Sequence, residues 1–361
     1  MKYKIYYISE LNLTSKSAYS IHVMKMCEAI KKIGYKINLF TIHNKKTPNT
    51  LKFYNIKNTF RIISIFKKKT NLNFFLRVIF SLKIINKTKH EKCIYLSRSI
   101  IFALIAAFLN KKIILELHHE ITGFSNFLYN FLKLIKKIDS LNYIFLNKRL
   151  NLLYKVNKEK FIVLDDSVCI KDFLIKKNKK KKSTCVYLGS FFKGKGIIQI
   201  LRLAKQNPNI NFHIYGDKQY LHNQIILKNV KFFEHIQYKN VPHVLSQYDV
   251  ALMPYQKKIK GRSSVSIEKY MSPLKMFDYM AAKMIILASN LRIYKHILKD
   301  NYNCKLIKVN DDKAWSVQLN NIFKNINKYN YLKKNAFYTA KKYTWEKRAK
   351  FVFNKFKFIN N

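Results

Sequence analysis

Ionisable side chains cluster in residues 115–120, LELHHE, at the end of an apolar run that predicts a strand. A metal site on a strand needs ligands on alternate residues, because successive side chains point to opposite faces. His118 and His119 are adjacent and would point apart, so we expect no metal here. The pattern favours a single histidine or glutamate that lines a cleft. A surface turn of charged groups is the alternative interpretation.

A glycine-containing loop, GSFFKGKG at residues 189–196, follows a predicted strand and precedes a predicted helix. A strand-to-helix loop with glycines and a lysine can approach a phosphate closely. The spacing matches neither the Walker pattern nor G-x-G-x-x-G. A solvated, lysine-rich turn therefore remains an equal alternative for this loop taken alone.

A sharp helix start is predicted in SPLKMFDYMAA, residues 272–282. Ser272 is a favourable N-cap, and proline is favoured at the first helical position. A helix N-terminus near Lys275 suits a diphosphate. Asp278, one turn further in, could accept hydrogen bonds from ribose hydroxyls. The alternative is a capped helix with an ordinary Lys–Asp pair at i, i+3.

Strand and helix patterns alternate along most of the chain. Residues 3–9 and 37–42 predict strands around a helix that Ser20 would cap and that ends near Gly34. Further strands are predicted at 93–96, 113–117, 143–146, 161–164, 184–188, 212–215, 230–233, 250–253, 285–288 and 306–309, and helices in the second half near 196–206, 241–247, 273–282 and 313–325. Such alternation indicates an α/β protein with two doubly wound domains.

The domain boundary is predicted at the basic run of residues 176–182, since solvated charge runs separate packed units. We expect an N-terminal domain over 1–175 and a C-terminal domain over 176–340. A chain of 361 residues is long enough for two domains that each bury a core.

Charge is the unusual feature of the composition: 70 Lys and Arg against 19 Asp and Glu give a net charge of +51. Such an excess attracts nucleic acid, anionic membranes or phosphorylated substrates. The lysines are spread along the chain, whereas a nucleic-acid arm would concentrate them. We therefore favour compositional drift, with attraction to a membrane surface as a consequence.

The cellular compartment of the protein is predicted from its cysteines and its apolar runs. The five cysteines have no C-x-x-C spacing, which indicates neither a disulfide framework nor a zinc site and fits a reducing compartment. No signal-peptide pattern opens the sequence. The longest apolar run, 100–109, is shorter than the ~20 residues of a bilayer-spanning helix and predicts a buried helix instead. We expect a cytoplasmic protein.

Five segments in the same order resemble family 4 glycosyltransferases. Residues 189–196 resemble the family's G-R-L-x-x-x-K-G loop, and 272–289 resemble its S-P-x-K-x-x-E-Y-M-A … P-V-V-A-S segment. SIHV at 20–23 with GYKI at 34–37 is similar to the first helix and the G-H-E-V that follows it. VLDDSV at 163–168 and YTWEKR at 343–348 resemble the N-G-V-D hinge and the closing W-x-x-R-A helix.

The resemblance implies a GT-B fold, in which two Rossmann-like domains face each other across a cleft and the closing helix, here 341–361, packs back towards the N-terminal domain. It implies a retaining transfer from a nucleotide-sugar, such as a UDP- or GDP-sugar, without an essential metal or cofactor. The acceptor would be a glycan or a polyprenyl- or other lipid-linked glycan, in surface polysaccharide or lipopolysaccharide synthesis. The basic charge, rather than the resemblance, favours docking at the anionic inner face of the cell membrane. No specific nucleic acid is expected.

The resemblance implies roles for particular residues of this sequence, at the positions that match the family's motifs. The resemblance implies that Gly189, Lys195 and Gly196 surround the donor diphosphate. Ser272 and Lys275 would hold phosphate at the helix start, and Asp278 would bind the ribose in place of the second glutamate of the family's Glu-x7-Glu pattern. His118 is the candidate catalytic histidine near the transferred sugar, with Glu116 as its support.

Several positions depart from the family pattern. Ser190 replaces the usual arginine, for which Arg262 is a candidate substitute. Tyr270 replaces the first glutamate, for which Glu268 is a candidate, and Ala18 lies where a glycine is common. These departures keep two alternatives open: a catalytically weakened sugar-nucleotide-binding protein of the same fold, and a basic nucleic-acid-binding protein.

Overall fold

The computed structural model describes residues 4–175, 180–217, 227–260 and 268–356. The chain divides into a first unit, Met1–Asp165 with Trp345–Asn361, and a second unit, Asp166–Thr344. The boundaries predicted at 175 and 340 both fall inside the second unit. Within the basic run predicted as a linker, residues 176–179 lie outside the described ranges.

The first unit is built on a seven-stranded sheet in which every strand pair is parallel, in the order β3-β2-β1-β4-β5-β6-β7. With elements numbered along the chain, its strands are β1 Lys4–Ile8, β2 Ile37–Thr41, β3 Arg61–Ser64, β4 Cys93–Ser97, β5 Ile113–Leu117, β6 Leu141–Phe145 and β7 Phe161–Val163. Its helices are α1 Ala18–Lys32, α2 Thr47–Phe53, α3 Phe74–Thr88, α4 Ile100–Phe108, α5 Gly123–Leu134, α6 Lys148–Tyr154 and the closing α12 Trp345–Phe356.

The second unit repeats the arrangement with six parallel strands in the order β10-β9-β8-β11-β12-β13. These strands are β8 Thr184–Leu188, β9 Asn211–Tyr215, β10 Val230–Phe233, β11 Val250–Met253, β12 Ile285–Ser289 and β13 Lys305–Ile307. The helices are α7 Ile197–Gln206, α8 Val241–Leu245, α9 Leu274–Ala281, α10 Asp312–Lys324 and α11 Asn330–Ala340. Two doubly wound Rossmann-like domains were predicted, and this prediction is confirmed.

In both sheets the order in which strands are added reverses at the first strand of the sheet. Strand β1 lies between β2 and β4, and β8 lies between β9 and β11. In such sheets ligands bind outside the carboxyl ends of the strands at this switch point. Strands β5, β8 and β12 are buried along their whole length, as expected for parallel strands covered by helices on both faces. These buried strands position the residues that directly follow them.

Two helix starts differ from the prediction. Helix α1 begins three residues earlier than expected, because Ser17 rather than Ser20 accepts the capping hydrogen bond, from Ser20 N–H at 3.2 Å. Helix α9 begins at Leu274, and Pro273 occupies the N-cap position without a side-chain cap. The buried helix expected at 100–109 is present as α4. Within the described ranges, no helix has the length and apolarity needed to cross a bilayer.

Helix α12 packs against α1 within the first unit. Tyr35, just after α1, lies with its ring 4.7 Å from that of Phe353, and Lys32 pairs with Glu346. Trp345, Arg348 and Val352 of α12 are buried. The helix therefore supplies side chains to the interior of a domain whose other residues come from the beginning of the chain.

Candidate active site

Glu116 is the centre of a buried polar cluster in the first unit. It occupies the fourth residue of β5, and its side chain has no exposed surface. Its Oε1 lies 2.7 Å from His22 Nε2 and accepts hydrogen bonds from His118 Nε2 at 2.8 Å and Arg348 Nη2 at 2.9 Å. Tyr7 donates its hydroxyl to Oε2 at 2.9 Å. Four donors therefore surround one carboxylate.

The pKa values of Glu116 and His118 in this cluster are both lowered. Burial alone would raise the pKa of Glu116, but the interactions with His22 and Arg348 and the histidine hydrogen bonds outweigh burial and hold that pKa well below its usual range. Burial, with the charge of Arg98, lowers the pKa of His118 to about 3 against the opposing effect of Glu116. His118 is therefore neutral at physiological pH, and its Nε2 carries the proton that Glu116 accepts. Its Nδ1 keeps a lone pair and can accept a hydrogen bond.

A metal ion fits this cluster poorly, although His22, Glu116 and His118 place three possible ligand atoms within 4.8 Å of one another. Metal ligation needs free lone pairs, with metal–ligand distances of about 2.0–2.2 Å. Oε1 of Glu116 already accepts from His118 and Arg348, and the guanidinium of Arg348 brings a positive charge to 2.9 Å from that oxygen. The arrangement suits a hydrogen-bond network that orients His118.

The sequence analysis singled out Glu116 and His118, and the structure brings these two together. It assigned no site role to His22, Arg348 or Tyr7. His22 lies on α1 inside SIHV, and Arg348 lies on α12 inside YTWEKR, so both belong to segments that carried the family resemblance. His119 is exposed and its Nδ1 lies 2.8 Å from the carbonyl oxygen of Glu120, apart from the cluster.

The glycine loop of the second unit runs from the end of β8 to the start of α7. Gly189 has φ +141°, and a Cβ there would lie 2.5 Å from Lys275 Nζ. Gly196 has φ +91°, and a Cβ there would lie 2.1 Å from the carbonyl oxygen of Pro254. Both backbone conformations favour glycine, and at Gly196 the close backbone carbonyl also leaves no space for a side chain. The loop therefore packs directly on Lys275 and on the chain that leaves β11.

Lys195 and Lys275 form a pair of cations with aromatic neighbours. Lys275 Nζ lies 3.6 Å from the ring centre of Tyr187, and both ammonium groups lie near the Tyr255 ring, at 5.3 Å for Lys275 and 5.0 Å for Lys195. Lys275 Nζ is buried and has no hydrogen-bond partner among the described residues. No described carboxylate lies within ion-pair distance of either lysine.

Burial controls the charge of this pair. Desolvation lowers the pKa of Lys195 to about 8, and desolvation with the neighbouring charge of Lys195 lowers the pKa of Lys275 well below its usual range. An anion between the two ammonium groups would favour their charged forms. The pair therefore has the chemistry to bind an anion such as a phosphate group.

Ser272 and Asp278 have structural partners in this fold. The hydroxyl of Ser272 accepts the backbone N–H of Asp166 at 3.0 Å and makes no cap hydrogen bond to α9, so the predicted capping role is wrong. Asp278 is buried and accepts a hydrogen bond from the hydroxyl of Tyr238 at 3.1 Å. The Lys275–Asp278 pair, which the sequence analysis gave as the alternative interpretation, is absent from the described contacts, and Lys275 lies against Tyr187 instead.

The positions that depart from the family pattern are also placed. The carbonyl oxygen of Ser190 accepts the hydroxyl of Tyr187 at 2.9 Å, and Tyr270 is buried. Glu268 accepts the backbone N–H of Ile259 at 3.2 Å. Arg262 lies outside the described residues.

Part of the chain matches a known protein family. Residues 170–338 match the family model of glycosyl transferases group 1. That range contains the glycine loop, Lys195, Lys275 and α9. A search of curated proteins finds no significant match.

Solved structures resemble the chain along its whole length. A glycosyltransferase from Rickettsia africae has 13% identity and a TM-score of 0.73, with 99% of this chain and 98% of that one covered. Anabaena HepE in complex with UDP and glucose has 12% identity, a TM-score of 0.72, and covers 99% and 100%. WaaG, involved in lipopolysaccharide biosynthesis, has 13% identity, a TM-score of 0.63, and covers 96% and 99%. These likenesses show the fold.

The two parallel sheets are thus those of the GT-B glycosyltransferase fold, and residues 170–338 of the second sheet's domain match a group 1 glycosyltransferase domain.

Proposed function

We propose that the protein is a retaining, family 4-like glycosyltransferase that moves a sugar from a UDP- or GDP-sugar to a glycan or lipid-linked acceptor. The observation that carries the proposal is the pair Lys195 and Lys275, two desolvated lysine side chains without a carboxylate partner among the described residues, whose ammonium forms an anion would stabilise. Burying such charges is costly unless a ligand compensates them. The diphosphate of a nucleotide-sugar supplies the missing negative charge.

The same pair would promote the reaction. As the bond from the anomeric carbon to the diphosphate oxygen breaks, negative charge grows on the leaving nucleoside diphosphate. Ammonium groups fixed beside it stabilise that charge more in the transition state than in the ground state. The positive charge comes from the chain itself, which supports a reaction without an essential metal or cofactor. Asp278, one turn into α9 from Lys275, is the proposed ribose ligand. Its carboxylate would accept hydrogen bonds from both the ribose and the hydroxyl of Tyr238.

His118 is the proposed catalytic residue at the transferred sugar. Its neutral ring offers Nδ1 as an acceptor for a sugar hydroxyl, because Nε2–H is committed to Glu116. Glu116, Arg348 and His22 hold this tautomer and orientation. A neutral acceptor fits a role in binding and orienting the sugar better than a role as a proton donor.

The proposed acceptor and cellular process are supported by the kind of structural neighbours found. HepE was solved with UDP and with glucose, and WaaG takes part in lipopolysaccharide biosynthesis. We propose an acceptor of the same broad class, a surface glycan or its lipid-linked precursor, and a protein that works at the anionic inner face of the cell membrane. The net charge of +51 supports that location.

Calorimetric titration with UDP, GDP, ADP and CMP at physiological salt tests the donor site. Moderate salt matters because a protein of this charge holds any polyanion at low ionic strength. We expect selective binding of one nucleoside diphosphate, about tenfold or more weaker in Lys275→Met. Lys283→Met, an exposed lysine just after α9, is the matched control and should bind like the parent.

Three results would redirect the proposal. Equal binding of all nucleotides, or unchanged binding in Lys275→Met, would remove the donor site. Selective binding without sugar transfer or donor hydrolysis would favour the sugar-nucleotide-binding alternative. Salt-resistant binding of a DNA duplex without nucleotide selectivity would favour the nucleic-acid alternative.

A further inference from the structure

Helix α5 of the first unit is apolar on two sides, and only one of them is covered. Tyr129 and Leu132 are buried against the domain. On the other side, side chains at i, i+3, i+7 and i+10 are exposed; these are Phe124, Phe127, Phe131 and Leu134. Leu134 is 81% exposed and Phe127 is 63% exposed. Polar residues such as Asn126 and Asn130 separate the two apolar sides, so the exposed side is a distinct apolar surface and not part of the domain core.

The exposed side continues onto the start of α3. The ring of Phe74 lies 4.8 Å edge-on from that of Phe124, and Phe124 stacks at 5.8 Å with Phe127. Phe75, beside Phe74, is 70% exposed. We call the exposed side chains of Phe74, Phe75, Phe124, Phe127, Phe131 and Leu134 the α5 surface. Contiguous apolar patches of this kind mark interaction sites.

Basic residues outnumber acidic ones around the α5 surface. Residues 121–138 contain three lysines, Lys133, Lys136 and Lys137, and no Asp or Glu. Residues 67–78, which lead into α3, contain three consecutive lysines and likewise no acidic residue. Lys133 and Lys136 are exposed. The surface therefore combines phenylalanine and leucine side chains with positive charge, the composition of helices that lie in a membrane interface.

We propose that the α5 surface docks the protein on an anionic lipid bilayer, with the rings entering the headgroup–acyl boundary and the lysines contacting acidic headgroups. Lysine is depleted at protein–protein interfaces, which disfavours a protein partner. A symmetric second copy would bring the same lysines together and repel itself. The docking surface deepens the membrane location stated in the proposed function and gives it particular residues.

Binding to vesicles tests the proposal. Full-length protein is mixed at physiological salt with vesicles of pure phosphatidylcholine, or of equal parts phosphatidylcholine and phosphatidylglycerol. We expect cosedimentation with the anionic vesicles only. The double variant Phe127→Ser/Phe131→Ser should bind about a hundredfold more weakly, or about tenfold for each ring withdrawn from the interface. Phe351→Ser removes a comparably exposed ring, 52%, from α12 of the same unit and should bind like the parent.

Insertion is tested independently of affinity. The two natural tryptophans, Trp315 and Trp345, are buried, so a tryptophan introduced at an exposed position reports its own surroundings. Emission of Phe127→Trp should shift to the blue and be quenched by brominated acyl chains when anionic vesicles are added. Emission of Phe351→Trp should show neither change.

The outcomes separate docking from catalysis. UDP and GDP binding in solution should be the same for the double variant and the parent, and an unchanged circular dichroism spectrum and thermal midpoint would show that the variant's first unit is folded. Equal vesicle binding by parent and double variant, or equal losses in the double variant and Phe351→Ser, would overturn the docking surface without affecting the donor site. A dimer in sedimentation velocity that the double variant dissociates would assign the surface to a second copy and overturn the membrane proposal.

Discussion

Arg348 Nη2 lies 2.9 Å from Glu116 Oε1 and joins two residues that are 232 positions apart in the chain. The same guanidinium donates from Nε to the carbonyl oxygen of Asp165 at 3.0 Å. Both side chains are almost completely buried. The closing helix thus contributes the counter-ion of the carboxylate that orients His118, which makes Arg348 a positioning residue for the first unit.

Removing this cation should destabilise the first unit. Arg348→Met leaves Glu116 with a buried charge and fewer donors, so we expect a loss of about 3–5 kcal/mol in the free energy of unfolding. Urea denaturation followed by circular dichroism measures it. Lys350→Met, which removes an exposed charge from the same helix, should change stability by no more than about 0.5 kcal/mol. Equal stability of the two variants would contradict the role of Arg348.

Acid should destabilise the first unit through His118. Its pKa is about 3 in the folded protein, against an ordinary value of 6.5, so between these values the unfolded chain binds more protons. The stabilisation is complete above about pH 6.5 and is lost as pH falls towards 3. Glu116, whose pKa is also lowered, adds to the loss at the acid end.

Denaturation midpoints across this pH range measure the effect. His118→Asn should flatten the pH dependence, since asparagine does not titrate. His90→Asn, at an exposed histidine, should leave the slope as in the parent. An unchanged slope in His118→Asn would show that other groups control the acid transition.

Nucleotide affinity should fall at alkaline pH if the donor site is as proposed. Lys195 has a pKa of about 8 without ligand, and only its ammonium form attracts a diphosphate. Affinity should therefore decrease as pH rises through about 8, and binding near that pH should take up protons. Calorimetry in buffers of different ionisation enthalpy detects the uptake. Lys195→Arg, whose guanidinium stays charged, should weaken this pH dependence; a flat profile in the parent would contradict the assignment.

A methyl group at Gly189 should disturb the donor site. The new Cβ would lie 2.5 Å from Lys275 Nζ, and φ of +141° strains any other residue. We expect Gly189→Ala to bind nucleotide about tenfold or more weakly, because Lys275 must move. Gly123→Ala also has a positive φ, +58°, but no atom lies within 4 Å of the added carbon. It should retain nucleotide affinity; a similar loss in both variants would point to strain alone.

Fold class and most elements could be predicted because buried parallel strands are short apolar runs between turn-forming residues. The predicted bounds of 113–117, 184–188, 230–233 and 250–253 coincide with β5, β8, β10 and β11. Strand β3, Arg61–Ser64, was missed although it lies in the apolar run FRIISIF at residues 60–66; it is an edge strand and only partly buried. The start of α1 was misplaced because Ser17 and Ser20 are both suitable caps, and sequence does not rank them.

The sequence by itself determined the alternation of strands and helices, the glycine loop, and the candidates His118, Glu116, Lys195 and Lys275. Those are local properties of periodicity, turn chemistry and residue type. Only the tertiary structure decided that Arg348, His22 and Tyr7 converge on Glu116, because long-range hydrogen bonds depend on how separate elements pack. It likewise decided that Lys275 lies over the ring of Tyr187 rather than beside Asp278, because a contact between α9 and β8 depends on how these elements pack.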